Sequence, residues 1–443
     1  MSQPYGDKRY DKGGNKMVKS NEKPLIGFFP LFYNLAETGR AVLIAKRYKE
    51  LGGETVFFSH GGEYEHLAKE IGCEVVKVNP VYSEEYIDLL WKSSRLETFK
   101  NPFSKKLLIE HVEEEIAAYK KTGVKMVVST NNLPCIISAR AAKIPLVFVT
   151  PKIIPSFTRY PDDAEFFFTR LVPQALKLKI LNWYAPNSKR YVRPFIKVAK
   201  KYNVPPPRVE TDLARGDYTF YPDFVELLGL NKTSIPSNEH YIGPIFLEEL
   251  FTKVFSKEKT EMEKLEIKKH LQKPGRSILL SLGSSGTKEI FLKILETLNK
   301  TDYNVIAVYT SILKEDELPE VNSNILLKKF VPSIKEINQN VDLAILHGGQ
   351  GTVYTAAFSG KPVIGIPMQF EQHLNLEKLV RHGTALMLSR KYFKERSLLK
   401  AINTIFDNYE KYLKKAQELS KKMPKSEGDK NAARKIVEIL QRN

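Results

Sequence analysis

Residues 341–388 hold the side chains best suited to binding an anion and a polyol together. An apolar run ends in His347, and Gly348, Gly349, Gln350, Gly351 and Thr352 follow at once. Glycines at a strand-to-helix turn let backbone N–H groups come close to an anion, and the helix N-terminus adds positive potential. His347 would donate to the same anion. The competing reading is a tight turn whose glycines serve chain geometry alone. Further on, PMQFEQHLN places Glu371 and Gln372 after another apolar run, on the same edge of a sheet. A carboxylate and an amide there can hold sugar hydroxyls by directed hydrogen bonds.

The elements that must position these groups alternate regularly. LIGFFP at 25–30 reads as a strand and RAVLIAKRYKELGG at 40–53 as a helix ended by glycines. Strands ETVFFS, CEVVKVNP, KMVVST and IPLVFVT follow, with helical stretches between them. This pattern predicts a parallel sheet covered by helices on both faces. Residues 151–210 break the rhythm and mix aromatics with Lys and Arg. They read either as an amphipathic helical insertion packed on its own domain or as an acceptor pocket or membrane-facing patch. The alternation restarts at RSILLSLGSSGT, so a second α/β domain is expected. The expected division is a tail at 1–22, one domain at 23–247 and another at 248–443. Ligands of such sheets sit beyond the carboxyl ends of the strands.

Composition sets the class of protein. The chain has 443 residues, 42% hydrophobic and 27% charged, an ordinary globular balance. Lys and Arg number 69 against 51 Asp and Glu, a formal net charge of +18 that points to an anionic partner. Two cysteines, Cys73 and Cys135, allow neither a disulfide framework nor a zinc spacing and suit a reducing cytoplasm. No apolar run is long enough to span a bilayer, and the first residues lack the apolar core of a signal peptide. A soluble protein is expected. Met17 offers a second translation start beside Met1.

HGGQGT, SGKPVIGIP and FEQHLN, in that order over about forty residues, resemble the donor-domain signature of family 1 glycosyltransferases, the UDP-glycosyltransferase superfamily. SLGSS at 281–285, FVPS at 330–333 and IGPI at 242–245 extend the resemblance over nearly the whole chain from Pro24. The resemblance implies an α/β GT-B fold, two Rossmann-like domains with parallel sheets facing a cleft. It also implies an inverting, metal-independent transfer of a hexosyl group from a nucleotide diphosphate sugar, with no separate cofactor. Residue by residue, Ser284, His347, Gly349, Gly351 and Thr352 would bind the donor diphosphate. Phe330 would stack on the base and Val331 would pair with it through its backbone, while Glu371 and Gln372 would hold the transferred sugar. Phe330, Ser333 and Thr355 stand where many relatives carry Trp, Gln and Glu, so uridine is favoured without being secured.

In the first half, the Gly-His pair that usually supplies the family's base falls on Ala36 and Glu37, and its partner Asp falls on Thr130. Glu37 could serve directly as the general base, needing no orienting Asp. Its other reading is an acidic residue stabilising a helix N-terminus. His60, in SHGGEYEH, is the second catalytic candidate, with a turn histidine as its plainer reading. Asn131 and Asn132 could touch the acceptor or cap a helix.

Asp162–Asp163 and Glu315–Glu317 read as solvated loops, and no Asp-x-Asp metal motif is visible. A non-catalytic nucleotide-sugar-binding protein, a polynucleotide binder and a nucleotide-sugar epimerase are the competing readings. Nucleic acid is disfavoured because the basic residues are spread over many helices. The basic surface and aromatic insertion favour a lipid or polyisoprenoid acceptor and peripheral contact with an anionic membrane at its cytoplasmic face. A small hydrophobic alcohol is the runner-up acceptor.

Overall fold

A computed structural model describes residues 24–442 apart from 96, 153, 155–156, 163–164, 166–168, 170, 231–234, 248, 251–256 and 426. The expected tail at 1–22, the domain boundary at residue 248 and part of the 151–210 insertion lie outside the described residues.

The first sheet contains β1 (Leu25–Pro30), β2 (Glu54–Ser59), β3 (Glu74–Lys77), β4 (Met126–Thr130), β5 (Leu146–Val149), β6 (Tyr218–Tyr221) and β7 (Glu239–Tyr241). Its order is β3-β2-β1-β4-β5-β6-β7, and the strands pair in parallel. β1 is central, with Phe28 facing Phe57 on one side and Val128 on the other. Both faces of the strand are covered, which is why its sequence is apolar throughout instead of alternating. Gly27 is required there: a Cβ would come 2.4 Å from the Phe58 ring.

The second sheet contains β8 (Ser277–Ser281), β9 (Asn304–Val308), β10 (Ile325–Lys328), β11 (Leu343–Leu346), β12 (Val363–Gly365) and β13 (Ala385–Met387). Its order is β10-β9-β8-β11-β12-β13, again parallel. In each sheet the strand order reverses once, between β1 and β4 and between β8 and β11. Such a reversal opens a crevice outside the carboxyl ends of the two strands that flank it. The two-domain α/β expectation holds, and the His347 motif leaves β11 at one of these crevices.

One helix departs from the expected division. Gly428–Arg442 reads as part of the second domain, yet Ala432, Ala433, Ile436 and Ile439 are buried in the first domain's core beside the helix Leu35–Glu50. Their spacing makes one apolar stripe, and that stripe finds its cover across the boundary. Arg47 Nε donates to Asp429 at 2.6 Å on the same surface. Among the described residues, no helix is long and apolar enough to cross a membrane. Cys73 and Cys135 are both buried, in separate core clusters.

Candidate active site

His347 follows β11 and its ring is closed in by two glycine turns. A Cβ on Gly283 would come 2.6 Å from the imidazole Cε1, and one on Gly349 would come 2.5 Å from Nε2. Gly283 also has φ +58°, a conformation that favours glycine. The two turns therefore have their sequence because the ring lies between them. Burial lowers the imidazole pKa to about 4, with the Ser281 backbone opposing, and Nδ1 closes no hydrogen bond. The ring is thus neutral at physiological pH and has one N–H to donate.

Gly349 caps the helix Gln350–Ser359 with no side-chain cap. The first N–H groups of that helix are left for another acceptor. The space where a Gly351 side chain would stand is open, with nothing within 4 Å. Thr352 Oγ1 donates to Gly349 O at 2.8 Å and Thr355 Oγ1 to Gly351 O at 2.8 Å. Both hydroxyls brace the turn. Ser284 lies in the turn Gly283–Ser285, and its side chain is outside the described residues.

The helix Phe370–Arg381 starts on the same edge. Glu371 is exposed in its first turn and accepts from Asn375 Nδ2 at 3.0 Å. Gln372 is buried and holds protein at both ends of its amide. Oε1 accepts from Met368 N at 2.8 Å, and Nε2 donates to Ser285 Oγ at 2.8 Å. Gln372 therefore ties the loop after β12 to the turn after β8, with a single N–H to spare. Ser285 was within the SLGSS run, but sequence alone did not separate it from Ser284.

Phe330 follows β10 and is 48% exposed, while Val331 packs on the second domain's core. Ser333 Oγ caps the next helix, accepting from Glu336 N at 3.2 Å.

On the opposite domain, Asn34 Oδ1 accepts from Ala36 N at 3.0 Å and from Glu37 N at 3.4 Å, which starts the helix Leu35–Glu50. Glu37 is 7% exposed and its Oε2 pairs with Arg40 at 2.9 Å. Burial raises its carboxyl above the ordinary value, against the opposing charge of Arg40 and with a further push from Glu371. Thr130, at the family's Asp position, donates to Glu37 O at 2.9 Å. Arg40 and Thr130 thus fix Glu37 in the first turn of its helix.

A cavity of about 190 Å³ opens at the carboxyl ends of β1 and β4. Tyr33, Tyr82, Phe103, Asn131 and Tyr191 are among its walls. Asn131 adopts φ +68° and bridges to Pro30. Asn132 also borders the cavity; its Nδ2 donates to Glu115 Oε1 at 2.9 Å, and its buried Oδ1 has no hydrogen-bond partner.

The structure corrects the placement of His60. Its ring is buried between Phe29 and Tyr82, with centroids 4.9 and 5.0 Å away. Nδ1 lies 3.1 Å from Val78 O, and Nε2 lies 3.2 Å from Glu115 Oε1. Both nitrogens are engaged inside the domain, so the ring offers nothing to an acceptor. Asp162 is also corrected from a solvated residue. It accepts from Ser389 Oγ at 2.8 Å and belongs to a strap laid on the second domain. Thr158 N and Arg159 N donate to Glu377 Oε1 at 2.9 and 3.0 Å in the same strap.

Sequence reasoning missed Asp223, the charged centre of the domain contact. This fully buried carboxylate accepts from Lys152 N at 2.6 Å, Tyr354 OH at 2.8 Å and Lys378 Nζ at 3.1 Å. Gln350 Nε2 donates to Pro222 O at 3.0 Å, anchoring the turn after β11 to the first domain. Nothing in the local sequence around Asp223 marks it, because its partners come from distant elements. Among the described residues, no group of three His, Cys, Asp or Glu is arranged to hold a metal.

Comparison with known proteins agrees with the two-sheet α/β fold. Residues 277–436 match the model of the glycosyltransferase family 28 C-terminal domain. The chain is 25% identical over 343 residues to a PGL/p-HBAD biosynthesis glycosyltransferase of Mycobacterium tuberculosis, covering 75% of this chain and 74% of the relative. Among solved structures, the calicheamicin glycosyltransferase CalG4 superposes with a TM-score of 0.67 at 15% identity, covering 95% of this chain and 99% of the other. The glycosyltransferase VinC, solved in complex with DTDP, gives 0.60 at 14% identity over 95% and 100%. These structural likenesses concern the fold.

Proposed function

We propose that this chain, a glycosyltransferase of the GT-B fold that resembles family 1, transfers a hexosyl group from a nucleotide diphosphate sugar to a hydroxyl group with inversion. The observation that carries this reading is the uncapped N-terminus at Gly349, with neutral His347 beside it and Glu37 across the cleft. In the reaction, the acceptor oxygen bonds to the anomeric carbon as the bond from that carbon to the diphosphate oxygen breaks. The electron pair leaves on the diphosphate, and the acceptor proton passes to the Glu37 carboxylate. Helix N–H groups and the His347 N–H stabilise the departing charge, which supports a mechanism needing no metal. Burial strengthens Glu37 as a base by raising its proton affinity.

Phe330 is exposed enough to stack on a base, and Val331 follows with its backbone. UDP remains the favoured carrier on the sequence resemblance. The DTDP in the VinC structure supports a thymidine carrier as the second reading. The aromatic cavity at the ends of β1 and β4 suits an apolar alcohol, and the chain's positive charge favours a lipid acceptor at the cytoplasmic face of a membrane. A soluble small alcohol is the alternative acceptor, and a non-catalytic nucleotide-sugar binder the alternative role.

Calorimetric titration with UDP, TDP and their sugars tests the donor site. One diphosphate should bind, and His347→Ala should weaken it by roughly ten- to a hundredfold, the worth of a hydrogen bond to a charged group. Unchanged affinity in that variant would remove His347 from the site.

A further inference from the structure

The helix Gln174–Tyr184 is built inside out. Of its described residues only Lys177 is buried, paired with Glu165 at 2.9 Å and set 5.0 Å from the Tyr160 ring centre. Asn182 fixes the same flank, its Oδ1 accepting from Phe157 N at 2.7 Å and its Nδ2 donating to Phe157 O at 3.1 Å. Leu176, Ile180 and Trp183, spaced i, i+4 and i+7, face solvent together. Trp183 is 71% exposed, and Leu171, just before the helix, is 89% exposed. A helix held to a globular domain normally turns this stripe inward. Here the polar side chains do the holding, and the apolar stripe is turned outward, as at an interaction surface.

The charge around the stripe says what it fits. Residues 174–193 contain five Lys and Arg and no Asp or Glu, and of the five Lys177 is turned inward onto Glu165. Lys179, Lys189 and Arg193 are exposed. A tryptophan-bearing apolar stripe with basic residues around it matches the boundary layer of an anionic bilayer. A second copy of this chain would bring the same positive surface and repel it. The chain that leaves this helix reaches the cavity: Tyr191, seven residues past its end, is in the cavity wall, where Ser93 Oγ donates to its hydroxyl at 2.6 Å.

We propose that the helix Gln174–Tyr184 docks on an anionic phospholipid bilayer and sets the mouth of the acceptor cavity at the lipid surface. This inference rests on the lipid-acceptor reading above. An amphiphilic alcohol could then enter the cavity with its chain still in the membrane.

The test uses the full chain and extruded vesicles of phosphatidylglycerol and phosphatidylcholine, or of phosphatidylcholine alone. Cosedimentation should require the anionic lipid and weaken with salt. Trp183 emission should shift to the blue on binding, and Trp183→Phe should abolish that shift. Ile180→Glu and Trp183→Glu should each reduce partitioning at least about tenfold while leaving the thermal midpoint and nucleotide titration unchanged. No binding of the unaltered chain to anionic vesicles overturns the proposal. So does full binding by both Glu variants, or self-association that the Glu variants remove without any vesicle binding. Nucleotide titration of the same preparations keeps the outcomes separate. If nucleotide binding fails while vesicles bind, the transferase reading falls and the docking surface stands.

Discussion

Replacing Glu37 with Gln separates its two roles, because they differ in both observable and size. As a general base it would contribute about 10²–10⁴-fold in rate, or roughly 3–5 kcal/mol of barrier at about 1.36 kcal/mol per decade. As a helix N-terminal acid it would contribute only about 0.3–1 kcal/mol of stability and nothing to the rate. Gln keeps the shape and can still accept from Arg40, now 2.9 Å from the carboxylate. The raised carboxyl pKa gives the sign of the stability effect. A carboxyl whose folded pKa lies above its unfolded value stabilises the fold fully below the unfolded value, and that contribution is lost as pH rises through the folded pKa. That contribution is lost above the raised pKa, and Gln, which is neutral at every pH and keeps the contact with Arg40, should leave the thermal midpoint nearly unchanged. The assay is kcat and KM against pH for both proteins, with donor affinity from calorimetry. Unaltered enzyme should lose activity as pH falls through the raised Glu37 pKa. Glu37→Gln should keep donor affinity, lose about 10²–10⁴-fold in kcat and lose that acid limb. Undiminished kcat with the acid limb intact would refute the assignment and leave Glu37 as a helix-capping acid.

Two further substitutions examine the frame around the site. Gly349→Ala puts a Cβ 2.5 Å from His347 Nε2, so nucleotide titration should show weakened donor binding while far-ultraviolet circular dichroism stays the same. Asp223→Ala leaves the Lys378 ammonium without its 3.1 Å partner in a buried contact. Breaking a buried pair in this way costs ~3–5 kcal/mol, which thermal unfolding should report as a lowered midpoint.

How much could be read from sequence follows from the range of the forces involved. β1 and the end of the helix after it were legible because an unbroken apolar run and a glycine stop act within a few residues, whereas the Asn34 cap that starts the helix at Leu35, five residues before the expected start, was not read. The Gly428 helix was misassigned because its stripe is visible locally but the surface that covers it is not. Asp223 and Glu377 were silent for the same reason, since each draws its hydrogen bonds from residues far along the chain.

The site divides along the same line. The glycines around His347 had a local pattern, and the structure adds that two of them exist to admit one ring. Glu37 and His60 looked similar in sequence, each a polar residue just after a strand. What separates them is which way the chain turns after β1 and β2. Asn34 starts a helix that leaves Glu37 in its first turn, with Glu371 acting on it from the other domain. His60 is drawn under Phe29 and Tyr82 onto Glu115, a residue 55 positions away. The Gln174 helix carries the same lesson in reverse. Its apolar residues read in sequence either as core or as an outward patch, and only the positions of Lys177 and Asn182 reveal that the buried side is the polar one. An apolar stripe fixes the direction of a helix only when the polar side has no better partner inside, and here Glu165 and the Phe157 backbone supply it.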